Sequence, residues 1–151
     1  MTESELIWRI VAGALCGTII GLERARENKN VGVRTLTMVA LGGAVLIGAV
    51  EYMARGDANA ASRAFQGLVT SIGFLGAGLI LQNRKQVRGL TTAAAVWVAT
   101  ILGGVAGLGL PWLALACAAF VFTLLALGDK IDKVVVALFA DTKDRDLKSP
   151  T

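Results

Sequence analysis

The sequence predicts an all-α protein that crosses a membrane five times. Of its 151 residues, 55% are hydrophobic and 18 are glycine, which is too apolar for a soluble domain of this size. A bilayer core about 30 Å thick requires roughly 20 apolar residues per helix. The chain has five such stretches, at residues 6–22, 36–53, 65–81, 90–106 and 112–127. We therefore expect one transmembrane domain over residues 1–128 and a cytoplasmic tail over residues 129–151.

The first two stretches predict a helical hairpin. The first follows Glu3 and Glu5 and lacks the basic start of a secretory signal, so we expect it to be retained as a helix. The second contains three glycines, which allow a neighbouring helix to approach closely. Residues 23–34 join the two stretches in a loop with four basic and two acidic side chains.

The third and fourth stretches predict a second hairpin. Residues 54–62, before the third helix, are small and polar and are expected to form a solvent loop. The third stretch carries Gly73, Gly76 and Gly78, which are the predicted sites of helix packing. After a basic turn, Gly-Leu-Thr-Thr at residues 89–92 opens the fourth helix with hydroxyls and free backbone N–H groups.

The fifth stretch follows an uncharged turn at residues 107–111 and leads into the tail. Hydrophobic residues recur at helical spacing between Lys130 and Ala140, which predicts an amphipathic helix on the membrane surface. Three consecutive valines at residues 134–136 leave a short strand as the alternative for this segment.

The distribution of basic residues predicts the orientation of the chain. The first and third loops together contain seven Lys or Arg residues, including Arg84 and Lys85, whereas Arg9, Arg55 and Arg63 are the three on the opposite side. By the positive-inside rule, the N-terminus is outside and the basic loops and the tail are cytoplasmic. The basic residues therefore indicate orientation, and we expect no nucleic-acid partner.

The two hairpins resemble each other, which predicts an internal parallel repeat of helices 1–2 and 3–4. In the first, Val33-Arg34-Thr35 is followed by Thr37, and in the second, Val87-Arg88 is followed by Thr91-Thr92. Both hairpins run from outside to inside and back, so an axis along the membrane normal would relate them. Such a repeat brings two corners of arginine and threonine together on the cytoplasmic side.

Seven residues at these corners form the candidate site. They are Glu23, Arg24, Arg34, Thr35, Arg88, Thr91 and Thr92. A guanidinium at a helix end is partly desolvated and requires a partner. In one interpretation, Glu23 pairs with Arg34 or Arg88 and locks the hairpins together. In the other, the arginines, hydroxyls and N–H groups bind an anion such as a phosphate-bearing metabolite.

The residue inventory argues against an enzyme, a metal centre or a bound cofactor. There is no histidine, so His-based catalysis is excluded. The cysteines Cys16 and Cys117 lie in the middle of apolar stretches, where we expect them to be packing residues rather than zinc ligands or a disulfide.

Four motifs in order resemble the membrane domain of the MgtC/SapB family. They are GLER at residues 21–24, Gly32-x-Arg34-Thr35, GFLGAG at residues 73–78 and RGLTTAA at residues 88–94. The resemblance implies a bacterial inner-membrane protein with five transmembrane helices, linked to growth at low magnesium and to virulence through survival inside host cells. The best-studied members regulate membrane proteins, including the F-type ATP synthase.

This chain departs from the family pattern at three places. Ala60-Ala61-Ser62 stands where an acid and a proline often precede the arginine at position 63, and Ser71 stands where glycine is common. Many members also carry a soluble C-terminal domain, for which we expect no room after residue 128. Functions of that domain are not expected in this chain.

Three functional interpretations follow. The first is a regulator that packs against other membrane proteins, such as an ATP synthase or a transporter, and that also forms homo-oligomers through small-residue faces. The second is a transporter or channel for Mg²⁺ or another small ion, which is disfavoured because the acids Glu23, Glu27, Glu51 and Asp57 lie at the membrane rims. The third is a cytoplasmic-side anion-binding membrane protein.

Overall fold

The computed structural model describes the backbone of residues 2–55, 57–83 and 86–146, and the side chains of these ranges except 81–87 and 129–146. In this part of the chain, five α-helices and one short β-hairpin form the fold. The helices are α1 (Glu3–Arg26), α2 (Val33–Ala54), α3 (Ala58–Leu79), α4 (Leu90–Gly107) and α5 (Pro111–Asp146). The strands are β1 (Leu81–Asn83) and β2 (Gln86–Arg88), which pair antiparallel.

Four of the described helices are long and apolar enough to cross a membrane: α1, α2, α4 and the first 18 residues of α5. The length and composition of these four helices confirm the prediction of a helical membrane protein. The remaining helix, α3, has 22 residues, as many as α2. It is more polar because Arg63, Gln66 and Thr70 lie along it. Length alone would allow α3 to span the bilayer, at about 1.5 Å per residue.

The centre of the bundle is the contact between α1, α2 and α4. The buried side chains there are mostly small, among them Ala12, Cys16, Ala40 and Ala99. Cys16 is completely buried and Cys117 packs against the same core, which confirms that both cysteines are packing residues. The outer helix α5 packs on α1 and α4, whereas α3 packs mainly on α4.

Glycines allow the three central helices to meet backbone to backbone. Gly13, Gly17 and Gly21 recur every four residues along the buried face of α1. A Cβ atom on Gly17 would overlap the carbonyl group of Leu36 in α2. Likewise, a Cβ atom on Gly103 of α4 would overlap the carbonyl group of Ala40 in α2. We call these close approaches, together with that of Gly43, the glycine seam; only glycine permits them.

The glycines of α3 are arranged differently, and their role in helix packing stays a prediction. Gly73, Gly76 and Gly78 were expected to be helix-packing sites. A Cβ atom built on any of them meets no described atom within 4 Å, and the same is true of Gly67. The buried residues of α3 are Ala61, Leu68 and Ile72, which lie on a different face of the helix from Gly73 and Gly78. Among the described residues, therefore, no helix packs against these glycines.

The predicted solvent loop over residues 54–62 is wrong. Asp57 caps α3, because its Oδ1 accepts a hydrogen bond of 2.9 Å from the backbone N–H of Asn59. The alanine-rich residues that follow favour a helix, so α3 begins at Ala58. Similarly, α1 continues through Glu23 to Arg26, which places the expected start of the first loop in the last turn of a helix.

Two further segments differ from expectation. The basic turn before α4 contains the strands β1 and β2, with Gln82 opposite Val87, instead of an irregular loop. Arg84 and Lys85, which follow β1 in the sequence, lie outside the described residues. In the tail, α5 continues without a break from Pro111 to Asp146. The helix predicted between Lys130 and Ala140 is therefore present as part of α5, and the strand alternative at residues 134–136 is wrong.

Candidate functional site

A polar cavity of about 410 Å³ lies where the end of α1, the start of α4 and α5 come together. Among the described residues, its polar lining comprises Glu23, Arg24, Lys29, Thr91 and Thr92. Leu124, Leu125 and Gly128 of α5 form the facing side. The cavity is thus part charged and part apolar, at one end of an otherwise apolar bundle.

Helical periodicity explains why two charged residues are buried here. Cys16 and Ile20 lie on the buried face of α1, and Glu23 and Arg24 are the next residues on that face, three and four positions after Ile20. Glu23 is 2% exposed and Arg24 is 5% exposed. The face that packs the core therefore ends in an adjacent acid and base.

Arg24 connects α1 to α4. Its Nη2 donates a hydrogen bond of 3.1 Å to Oγ1 of Thr92, and its Nη1 lies 3.9 Å from Oε2 of Glu23. The Nε of Arg24 is buried and has no hydrogen-bond partner among the described residues. A guanidinium carries five N–H donors, so Arg24 retains unused donor capacity in a desolvated position.

The start of α4 adds backbone donors to the same place. Gly89 is the N-cap residue, with a φ of 89° that favours glycine, and a Cβ atom on it would overlap the carbonyl group of Leu79. No described side chain caps this helix. The first N–H groups of a helix have no intrahelical acceptor, and here they lie beside Thr91 and Thr92, which follow the cap inside the first turn.

Four of the seven predicted site residues come together: Glu23, Arg24, Thr91 and Thr92 all line the cavity. The others are placed elsewhere. Arg34, Thr35 and Arg88 are exposed, and none of them contributes to the described lining.

The register of α2 explains the position of Arg34. Leu36 and Ala40 point into the core, which turns the two residues before Leu36 outward. Arg34 forms no ion pair with the described part of the chain, so the predicted lock between Glu23 and Arg34 is not formed. The side-chain link between α1 and α2 is instead a hydrogen bond of 2.9 Å between the hydroxyls of Thr18 and Thr37.

Three contributors to the site were not predicted from the sequence. Lys29 was counted only as an orientation signal, although it lines the cavity. Leu124 and Leu125 belong to a helix more than thirty residues further along the chain, and no local pattern marks them. Among the described residues, no group of three or more His, Cys, Asp or Glu side chains is placed to hold a metal ion.

Long apolar helices, a close-packed centre and a polar cavity at one end define a polytopic helical membrane protein. Comparison with known families then identifies which one: the model of the MgtC family matches residues 10–134, and the chain belongs to the MgtC family. This confirms the resemblance found from the four sequence motifs.

Several relatives share the membrane part. Protein SrpB of Synechococcus elongatus is 44% identical over 135 residues, covering 81% of this chain and 72% of SrpB. Protein MgtC of Brucella abortus is 39% identical, covering 78% of this chain and 49% of that protein. A protein of Escherichia coli named putative magnesium transporter YhiD is 37% identical, covering 73% and 54%.

The chain spans about half the length of the MgtC and YhiD relatives. No solved structure matches it.

Proposed function

We propose that this protein is a regulator in the bacterial inner membrane that acts by binding a transmembrane helix of a different membrane protein along α3. Its physiological setting is the one that the family resemblance implies, magnesium limitation and survival inside host cells. The observation that carries the proposal is the composition of the exposed side of α3.

Two adjacent rows of exposed residues make up this surface, which we call the α3 outer face. Its residues are Gln66, Gly67, Thr70, Ser71, Gly73, Phe74, Ala77 and Gly78. Five of these eight residues are Gly, Ala or Ser, and the one large apolar side chain, Phe74, is 86% exposed. The hydroxyls of Thr70 and Ser71 bond to carbonyl groups of their own helix.

Other exposed helix faces in the molecule have the composition that lipid requires. Exposed side chains on α2 include Met38, Leu41, Val45 and Leu46, all large and apolar. By contrast, the α3 outer face exposes the amide of Gln66 in the middle third of the helix. An amide in hydrocarbon lacks hydrogen-bond partners, whereas an adjacent helix can supply them. Small residues beside it allow that helix to approach closely.

Charge favours a different protein over a second copy as the occupant. Arg63 is exposed on the same side of α3, and α3 contains no acidic residue. Two copies related by a two-fold axis along the membrane normal would pair α3 in parallel and place Arg63 near its equivalent. Like charges at an interface are unfavourable. A partner helix with a carboxylate at this level complements Arg63, so homo-oligomer formation through α3 is disfavoured.

Transport of Mg²⁺ receives less support. Glu23 lies in the last turn of α1, Glu27 is its C-cap, Glu51 lies in the last turn of α2 and Asp57 caps α3. All four acids are thus at helix ends, while the glycine seam fills the space between the central helices. A hard divalent cation requires oxygen ligands along its path. In liposomes containing the purified protein, we expect no Mg²⁺ flux above that of empty liposomes; measurable flux would favour a transporter instead.

The proposal is tested by a pair of glycine substitutions. Gly73 and Gly42 are both exposed with open space around them, but Gly73 lies on the α3 outer face and Gly42 on the apolar surface of α2. At equal abundance in the membrane, Gly73→Leu should abolish rescue of growth at low magnesium in cells that lack the protein. Gly42→Leu should leave rescue intact. Equal behaviour of the two variants would contradict the proposal.

A further inference from the structure

We infer that the cavity between α1, α4 and α5 binds a phosphate group, and that Arg24 is its principal ligand. The inference concerns a small-molecule site and does not depend on the α3 outer face. The phosphate group belongs either to a lipid at the membrane surface or to a soluble compound, and the two sources share the same chemistry.

The first observation is the unused donor capacity of Arg24. This side chain is 5% exposed and lines the cavity, and its Nε has no hydrogen-bond partner among the described residues. Leaving a buried, charged donor unsatisfied is unfavourable, and such groups in native proteins usually find a protein, water or ion partner. Arginine and phosphate are well matched because the planar guanidinium can donate two parallel hydrogen bonds.

The second observation is the beginning of α4 in the same cavity. The helix has 18 residues, and its cap is Gly89, which has no side chain to accept from the first backbone N–H groups. Free N–H groups and the positive end of the helix dipole both favour an anion. The exposed hydroxyl of Thr91 lines the cavity as an additional donor, and the hydroxyl of Thr92 already accepts a bond from Arg24.

Among the described lining residues, the charge remains positive despite Glu23. Arg24 and Lys29 contribute two cations to the cavity lining, against the single carboxylate of Glu23. That carboxylate lies 3.9 Å from Nη1 of Arg24, longer than an ordinary charge-assisted hydrogen bond. A phosphate group that carries one negative charge, as a phosphodiester does, is therefore sufficient to balance the charge of these described residues.

The size and the apolar side of the cavity indicate that more than a bare phosphate fits. A volume of about 410 Å³ falls in the range of small-molecule sites. Leu124, which is 54% exposed, and Leu125 provide an apolar surface opposite the donors. The glycerol and first methylenes of a phospholipid, or the organic part of a phosphate ester, would contact these leucines.

The test uses delipidated protein in detergent and inorganic phosphate as the probe, with chloride at equal ionic strength as the reference. We expect saturable thermal stabilisation by phosphate. Arg24→Gln should raise the phosphate dissociation constant about tenfold or more, since it removes charge-assisted hydrogen bonds. Arg26→Gln, which makes the same charge change at an exposed position of the same helix turn, should leave it within about twofold.

A second variant keeps the test decisive if Arg24→Gln does not fold. Thr91→Val retains the Arg24 to Thr92 hydrogen bond and should weaken phosphate binding several-fold. Absence of saturable stabilisation in the wild-type protein, or equal losses in Arg24→Gln and Arg26→Gln, would overturn the inference. So would unchanged phosphate binding in Thr91→Val together with an unfolded Arg24→Gln.

Phosphatidylglycerol distinguishes the two sources of the phosphate group. If the natural ligand is a lipid, adding this lipid to the detergent-solubilised protein should prevent the stabilisation by phosphate, and phosphatidylcholine should not. If the ligand is soluble, phosphate should stabilise the protein equally in the presence of either lipid. Both results support a phosphate site, and both require that Arg24→Gln weaken phosphate binding as in the first test.

Discussion

The glycine seam and the α3 outer face contain the same residue type in opposite surroundings. Along the seam, Gly17 and Gly103 contact the backbone of a neighbouring helix. On α3, a Cβ atom added to Gly67, Gly73 or Gly78 would meet no described atom within 4 Å. The difference shows that a stripe of small residues in a sequence does not by itself identify the helix that packs against it. In α1, α2 and α4 the partner is within the chain; for α3 we propose that it is another protein.

The largest expected effect is a difference in the free energy of unfolding between a leucine substitution in the glycine seam and one on the α3 outer face. Gly103→Leu forces α2 and α4 apart at a backbone contact, so it should lower the free energy of unfolding by about 3 kcal/mol or more. Gly73→Leu enters open space and should change it by less than about 0.5 kcal/mol. Reversible unfolding in detergent, followed by circular dichroism, measures both. Similar losses in the two variants would remove the distinction between the seam and α3.

A smaller loss of stability is expected from a substitution beside the cavity. Thr92→Val removes the acceptor of the Arg24 hydrogen bond and leaves a buried guanidinium with one partner fewer. The expected loss is about 1.5–3 kcal/mol, because the bond involves a charged group. Thr91→Val, one residue earlier and exposed, is the matched control and should cost less than about 0.5 kcal/mol. A control variant that is equally unstable would show that the loss arises from the valine and not from the hydrogen bond.

The smallest expected effect concerns the N-terminal cap of α3. Asp57→Ala removes the side chain that accepts from the N–H of Asn59 and should destabilise α3 by about 1 kcal/mol. Asp57→Asn retains the cap and should be nearly neutral. Hydrogen exchange at the first-turn amides of α3 measures this directly, and we expect faster exchange there without faster exchange in α4. Uniform acceleration in both helices would mean that α3 does not open independently.

Local periodicity was sufficient to predict much of this molecule. The five helices correspond to five apolar stretches, and the four-residue spacing of Gly13, Gly17 and Gly21 is visible in the sequence, although its importance was not recognised. Which side of α3 faces inward was not predictable, because Leu68 and Ile72 compete with an equally regular row of glycines. That choice depends on what α2 and α4 present to it.

The candidate site was predictable in part for the same reason. Glu23 and Arg24 come three and four residues after the buried Ile20, so the helical spacing alone places them on the buried face of α1. The assignment of Arg34 failed because the register of α2 is set by Leu36 in the core. The contribution of α5 requires knowing how two helices far apart in sequence pack, which no local pattern encodes.

The central claim is that the α3 outer face binds a different membrane protein, and photo-crosslinking tests it most directly. Phe74 on α3 and Phe120 on α5 are both largely exposed, at 86% and 70%, so benzoylphenylalanine can replace either with little effect on folding. In native membranes, we predict a discrete adduct with another membrane protein from position 74 and only lipid adducts from position 120. Lipid adducts alone from both positions, or an adduct from position 74 that contains only a second copy of this chain, would contradict the account.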